Sequence, residues 1–233
     1  MITLFPILLF GFFLGTRHAT DSDHVVAVTT IVSRQRSIWS AAWTGIFWGI
    51  GHSLTLLVIG GAIILFGIVV PERLGMSLEF GVALMLILLG ALNLRATFRA
   101  VEEVTAGGEH DSRQQHPHRH GDLDRWFGRS DFYRALRPIA IGTMHGLAGS
   151  AAVALLVLPI IHEPLWAMAY LVIFGVGTIA GMMLITAAIA VPVSYSTRFQ
   201  FLHRHLGAAA GALSLGFGIF LVYHIGYVQG LFR

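Results

Sequence analysis

The stretch Arg17-His18-Ala19-Thr20-Asp21-Ser22-Asp23-His24 places ionisable side chains inside a run that otherwise reads as a membrane-spanning helix. Residues 2–14 before it and 25–32 after it are almost wholly apolar. Together they exceed the ~20 residues that cross a bilayer as a helix. Insertion scales charge roughly 2.5–3.5 kcal/mol for each central Arg or Asp, so Arg17, Asp21 and Asp23 together would cost roughly 8–10 kcal/mol unless paired, protonated, metal-bound or facing a cavity. At about 100° and 1.5 Å per residue, His18, Asp21 and His24 fall on one stripe of a straight helix, and Asp23 turns away from it. The same geometry separates His18 from His24 by ~9 Å of rise, too far for one ion. A shared ion therefore requires a kinked or unwound helix, for which Gly11 and Gly15 supply the freedom. The plain alternative is a polar network that only fixes helix packing.

Composition agrees with a chain built for lipid. Of 233 residues, 55% are hydrophobic and 12% charged, and the mean hydropathy is +0.74. These values describe an all-α integral membrane protein rather than a soluble domain. No Lys or Arg precedes Arg17, so the N-terminus lacks the basic region of a cleavable signal peptide and is expected to stay as part of the first span. There is no Cys. Disulfides, thiolate sites and Cys nucleophiles are thereby excluded, leaving imidazole and carboxylate as the strong metal ligands. The pI is near 9.8, but the basic residues are all Arg and mostly flank apolar runs, as orientation signals do. Nucleic acid is not an expected partner; the lipid bilayer is.

Windowed apolarity places six transmembrane helices at about 2–32, 39–70, 76–98, 137–160, 164–194 and 206–230. Residues 1–98 form a first half carrying the polar helix, 99–136 a His-rich loop, and 137–233 a second half of three helices. Arg34, Arg36, Arg95, Arg99, Arg198, Arg204 and the arginines of the long loop fall on one side, against Arg73 and Arg233 on the other. The bias predicts both termini outside and the long loop in the cytoplasm. Leu14-Gly15-Thr16-Arg17-His18 aligns with Ile141-Gly142-Thr143-Met144-His145, and Gly49-Ile50-Gly51 with Gly175-Val176-Gly177. Three spans per half then cross in opposite senses, a 3+3 inverted repeat with a site between the halves and His18 pseudo-equivalent to His145.

His18, four residues, then Asp23-His24, preceded by Arg17, resembles the signature helix of the nickel/cobalt permeases. Phe47-Trp48-Gly49-Ile50-Gly51-His52-Ser53 is similar to that family's next helix, with one extra residue between Phe and Gly-His. The later acidic segment of the family is missing. Gly142-Thr143-Met144-His145-Gly146-Leu147-Ala148-Gly149-Ser150 stands there instead and looks like the shorter, six-helix urease-accessory and exporter branch. The resemblance implies His18, Asp23, His24 and His52 as metal-handling residues; the repeat adds His145. Helix geometry favours Asp21 and the family pattern Asp23, so both stay candidates. Imidazole with carboxylate suits borderline divalent ions such as Ni, Co, Zn or Fe. Thr16, Ser53, Thr143 and Ser150 are candidate donors to these ligands or simple interhelical bonds. Arg17 is expected to pair with Asp21 or Asp23. Asn93, His224 and Glu79 read as packing or interfacial residues.

The expected function is transport of Ni2+ or Co2+ across a bacterial inner membrane, uptake first and export as the alternative. The cation is substrate, with no prosthetic group and no enzymatic reaction. A membrane histidine-box metalloenzyme and a bis-His haem protein are the rivals from other classes. The loop histidines His110, His116, His118 and His120 suit loose capture of an ion at the cytoplasmic mouth. The resemblance also leaves open a cytoplasmic metallochaperone of urease or hydrogenase maturation as partner.

Overall fold

The Thr20-Asp21-Ser22-Asp23 run, rich in residues that start helices, divides the first apolar stretch in two. In the computed structural model, α1 (Leu4–His18) stops there and α2 (Ser22–Val32) begins after a three-residue break. The structure describes residues 4–33, 35, 37–67, 71–106, 131–147, 161, 163–196 and 200–233. Among the described residues, five further helices follow: α3 (Ile38–Phe66), α4 (Glu72–Ala106), α5 (Asp131–Leu147), α6 (Pro164–Ser196) and α7 (Gln200–Tyr223), the last running into a π-helical turn at His224–Val228. No strand occurs among the described residues. The punctuation is local. Ser37 caps α3 by accepting from the Ser40 N–H. Gly67 closes α3 in the left-handed conformation, φ 62°, where a side chain would be strained. Pro164 opens α6 at a position needing no N–H partner.

Among the described residues, four helical segments are long and apolar enough to cross a membrane: Ile38–Phe66, Glu72–Arg99, Pro164–Ser196 and Phe201–Val228. They correspond to the second, third, fifth and sixth expected spans. The expected first span is not one continuous helix. It is α1 and α2, because the Asp and Ser residues at 21–23 form a helix start that outweighs the apolar continuity. The expected fourth span is described only as far as Leu147 in α5. The loop histidines His110, His116, His118 and His120, and Ser150, lie outside the described residues.

The polarity is inside out. Large apolar side chains such as Phe10, Phe13, Val58, Leu88, Leu184 and Ile219 are exposed, whereas His24, His52, His145, Thr178, Thr186 and Ser214 are buried. Small residues allow the helix backbones to approach closely. A Cβ on Gly15 would strike the Phe174 carbonyl oxygen and one on Gly177 that of Phe12, so α1 packs directly on α6. In the same way Gly142 lies against the Trp48 carbonyl and Gly51 against that of Ile139, which joins α5 to α3. Gly49 faces Ile179 and Gly175 faces Ser53 across the α3–α6 contact. In the α4–α7 pair, Gly90 and Gly211 meet each other, Asn93 Nδ2 donates to the Gly207 carbonyl at 2.9 Å, and Ser214 Oγ donates to that of Leu86 at 2.8 Å. Asn93 is thus a packing residue, as expected.

Candidate metal centre

The break between α1 and α2 builds the centre. The Thr20 N–H and Asp21 N–H donate back to the carbonyls of Arg17 at 2.8 Å and His18 at 3.1 Å, three residues away, tightening the end of α1. Thr20 Oγ1 also donates to the Arg17 carbonyl, at 2.6 Å. Asp21, extended at φ −61° and ψ 146°, then starts α2. The turn removes the ~9 Å separation that a straight helix would impose. The rings of His18 and His24 stand 4.8 Å apart, centroid to centroid. Freedom at Gly11 and Gly15 is not used for this. Gly11 lies against the Tyr170 ring and Gly15 against the α6 backbone, and the bend sits farther along the chain.

His52 from α3 and His145 from α5 complete a buried imidazole cluster with His18 and His24. His18 Nε2 and His52 Nε2 are 3.0 Å apart. Ring centroids of His24 lie 5.1 Å from His52 and 4.4 Å from His145. Asp23 spans the other side, Oδ1 accepting from His24 Nδ1 at 3.1 Å and Oδ2 from His145 Nε2 at 2.9 Å. Its side chain is 21% exposed, whereas that of Asp21 is 46% exposed and accepts from His18 Nδ1 at 2.8 Å. The stripe argument had put Asp21 inside; it assumed a straight helix, and the break turns Asp23 inward instead.

Two sets of potential ligands emerge, each with its atoms within 4.8 Å of one another: His18, His24 and His52, and Asp23, His24 and His145. For a metal–nitrogen bond of about 2.1 Å, two ligands of one ion stand at most ~4.2 Å apart, and ~3.0 Å apart at a right angle. The 3.0 Å His18–His52 contact already has the second spacing. A few tenths of an ångström of closure brings the remainder into range. His24 Nε2, His52 Nδ1 and His145 Nδ1 are buried without a hydrogen-bond partner among the described residues. Stranded polar nitrogens in an apolar interior are unfavourable, which suits atoms held for an ion. Helix ends add to the field: the C-terminal carbonyl end of α1 favours a cation, and the N-terminal end of α2 favours the Asp23 carboxylate.

Several expected roles differ. Arg17 is exposed and makes no ion pair with Asp21 or Asp23 among the described residues. Thr16, Ser53 and Thr143 hydroxyls donate to backbone carbonyls of Phe12, Gly175 and Ile139 at 3.0 Å rather than to the histidines. The outer partners of the imidazoles are carboxylates. Glu79 and His224 lie outside both ligand sets. Trp48 was not foreseen: buried, it stacks on His24 at 6.2 Å and approaches His145 at 5.6 Å. Its position four residues before His52 places both on one face of α3, which is the signal that marks it.

The chain matches, over residues 4–229, the NicO family, described as high-affinity nickel-transport protein. It is similar to the urease accessory protein UreH of Bacillus sp. (strain TB-90), with 35% identity over 232 residues that cover 100% of this chain and 97% of that protein. It is also similar to the high-affinity nickel transport protein of Cupriavidus necator (strain H16), with 29% identity over 154 residues, 58% of this chain and 40% of that protein. No solved structure matches.

Proposed function

Since the chain belongs to the NicO family of high-affinity nickel-transport proteins, we propose that it takes up Ni2+, and Co2+ at the same centre, through His18, Asp23, His24, His52 and His145. It is a membrane transporter and not an enzyme, which removes the histidine-box alternative. Asp21 acts one shell out, holding the His18 ring so that Nε2 faces the ion. The observation that carries this reading is convergence: four histidines and a carboxylate from three separate stretches of the chain meet where the first helix breaks.

The six-span, inverted 3+3 plan is part of the same proposal. Exchanging α1 with α5, α3 with α6 and α4 with α7 leaves the helix pairings α1–α6, α3–α5, α3–α6 and α4–α7 unchanged. The close approaches exchange as well: Gly15 on Phe174 with Gly142 on Trp48, and Gly177 on Phe12 with Gly51 on Ile139. Such reciprocity supports two halves related by a pseudo-two-fold axis, rocking about a site between them. The arginine distribution favours both termini outside and the long loop in the cytoplasm of a bacterial inner membrane. Similarity to a urease accessory protein favours delivery of the ion to urease maturation, with a cytoplasmic metallochaperone as recipient.

The test is accumulation of radioactive nickel by intact cells. Wild type should accumulate it above empty cells, and His18→Ala and His24→Ala should not. Accumulation below that of empty cells, restored by either substitution, would replace uptake with export. Equal values in all cells would remove the transport reading.

A further inference from the structure

The five proposed ligands do not surround one point. They form two triads that meet only at His24: His18, His24 and His52 on one side, Asp23, His24 and His145 on the other. The outer members of the triads are farther apart, with 6.4 Å between the His52 and His145 ring centroids. His24 also divides its nitrogens between them. Nδ1 lies 3.1 Å from Asp23 Oδ1, and Nε2 is buried with no partner among the described residues. A neutral imidazole offers one lone pair, on one nitrogen at a time.

We propose that the centre is a two-position relay, in which a single ion passes from an all-imidazole position to a carboxylate-containing position, with His24 as the ligand common to both. This rests on the transport reading above. In the first position the ion is held by His18, His52 and His24 Nε2, while His24 Nδ1–H stays on Asp23, the carboxylate–imidazole–metal arrangement that fixes a ring. In the second, Asp23 and His145 hold it with His24 Nδ1, whose proton passes to the Nε2 that the ion has left, so the ring stays neutral. Because one imidazole serves both, an ion in either position excludes an ion from the other. The positions differ in charge, three neutral ligands against two and a carboxylate. They also draw on different helices, α3 for the first and α5 for the second. Movement of α5 relative to α3 would therefore change which triad is closed, coupling the ion's place to the helix arrangement.

The experiment is titration of the purified full chain with Ni2+, together with nickel X-ray absorption to count imidazoles per ion. Wild type should bind one ion with no more than three imidazoles. Asp23→Asn and His145→Gln should still bind one ion with three imidazoles. For Asp23→Asn the affinity should fall by about 10- to 100-fold, the usual effect of losing an outer-shell carboxylate. His18→Gln and His52→Gln should bind one ion with two imidazoles, and His24→Ala none. Each binding-competent variant should fail to accumulate nickel in cells, since each keeps one position and loses the step. Two variants per triad guard against a single misfolded one. Four imidazoles around the wild-type ion, two ions bound together, or loss of binding in all four single-triad variants would overturn the relay and leave a single site. A wild type that transports nickel and gives any of those results keeps the transport reading; one that neither binds nor transports removes both.

Discussion

At the residue scale, the division of labour between the two aspartates is the sharpest consequence. Asp23 touches two histidines and Asp21 one, from a more exposed place. Asp21→Asn should therefore weaken nickel binding by about 10-fold, the lower end of what an outer partner contributes, with uptake retained at raised nickel. Asp23→Asn should abolish uptake at any nickel concentration. A concentration series of accumulation separates the two, and equal behaviour of the variants would contradict the assignment. Protonation gives a second consequence. An imidazole binds metal only when neutral, so its ligand capacity is present above its pKa, ordinarily ~6.5, and is lost as pH falls through it. Nickel binding to purified protein should weaken as pH falls and should release protons on the acid side; binding that stays unchanged until the protein unfolds would argue against a histidine-dominated centre. Sequence alone named His18, Asp21, Asp23, His24, His52 and His145, because ionisable groups are conspicuous against apolar flanks, and the structure brings all six side chains into one cluster. It misjudged Arg17, whose charge the structure leaves exposed and outside the cluster.

At the element scale, the broken first helix and the glycine contacts hold the centre together. Gly51 and Gly142 set the α3–α5 distance and hence the place of His145 beside His24. Gly51→Ala puts a methyl group against the Ile139 carbonyl and should destabilise the fold by roughly 1–3 kcal/mol, the typical effect of overpacking. Gly75→Ala, in α4 with nothing within 4 Å of the added Cβ, should be neutral or stabilising by up to about 1 kcal/mol through helix propensity. Thermal unfolding in detergent compares them, and equal midpoints would mean that the contact is not tight. Helix type and the second, third, fifth and sixth spans were legible as long apolar runs. The bend was foreseen from the metal geometry but misplaced, since glycine was read as freedom where it provides close approach. Asp21-Ser22-Asp23 was read as ligand chemistry alone when it is also a helix start.

At the scale of the whole molecule, His18, His24 and His52 converge from α1, α2 and α3, and His145 reaches the same cluster from α5, so the second triad exists only where these distant stretches meet. Three of the histidines come from the first half and His145 from the second, so a variant in the second half tests the join while leaving the signature helix intact. The short sequence match between residues 14–18 and 141–145 is the basis of the proposed repeat, and the carbonyl contacts of Gly15 with Phe174 and Gly142 with Trp48 become visible only in three dimensions. The most direct measurement is nickel flux into sealed vesicles reconstituted with the purified chain and no nucleotide. Wild-type vesicles should fill faster than protein-free ones, and both His24→Ala and His145→Ala vesicles should match the protein-free rate. Wild-type flux undiminished in His145→Ala would contradict a centre built by the two halves.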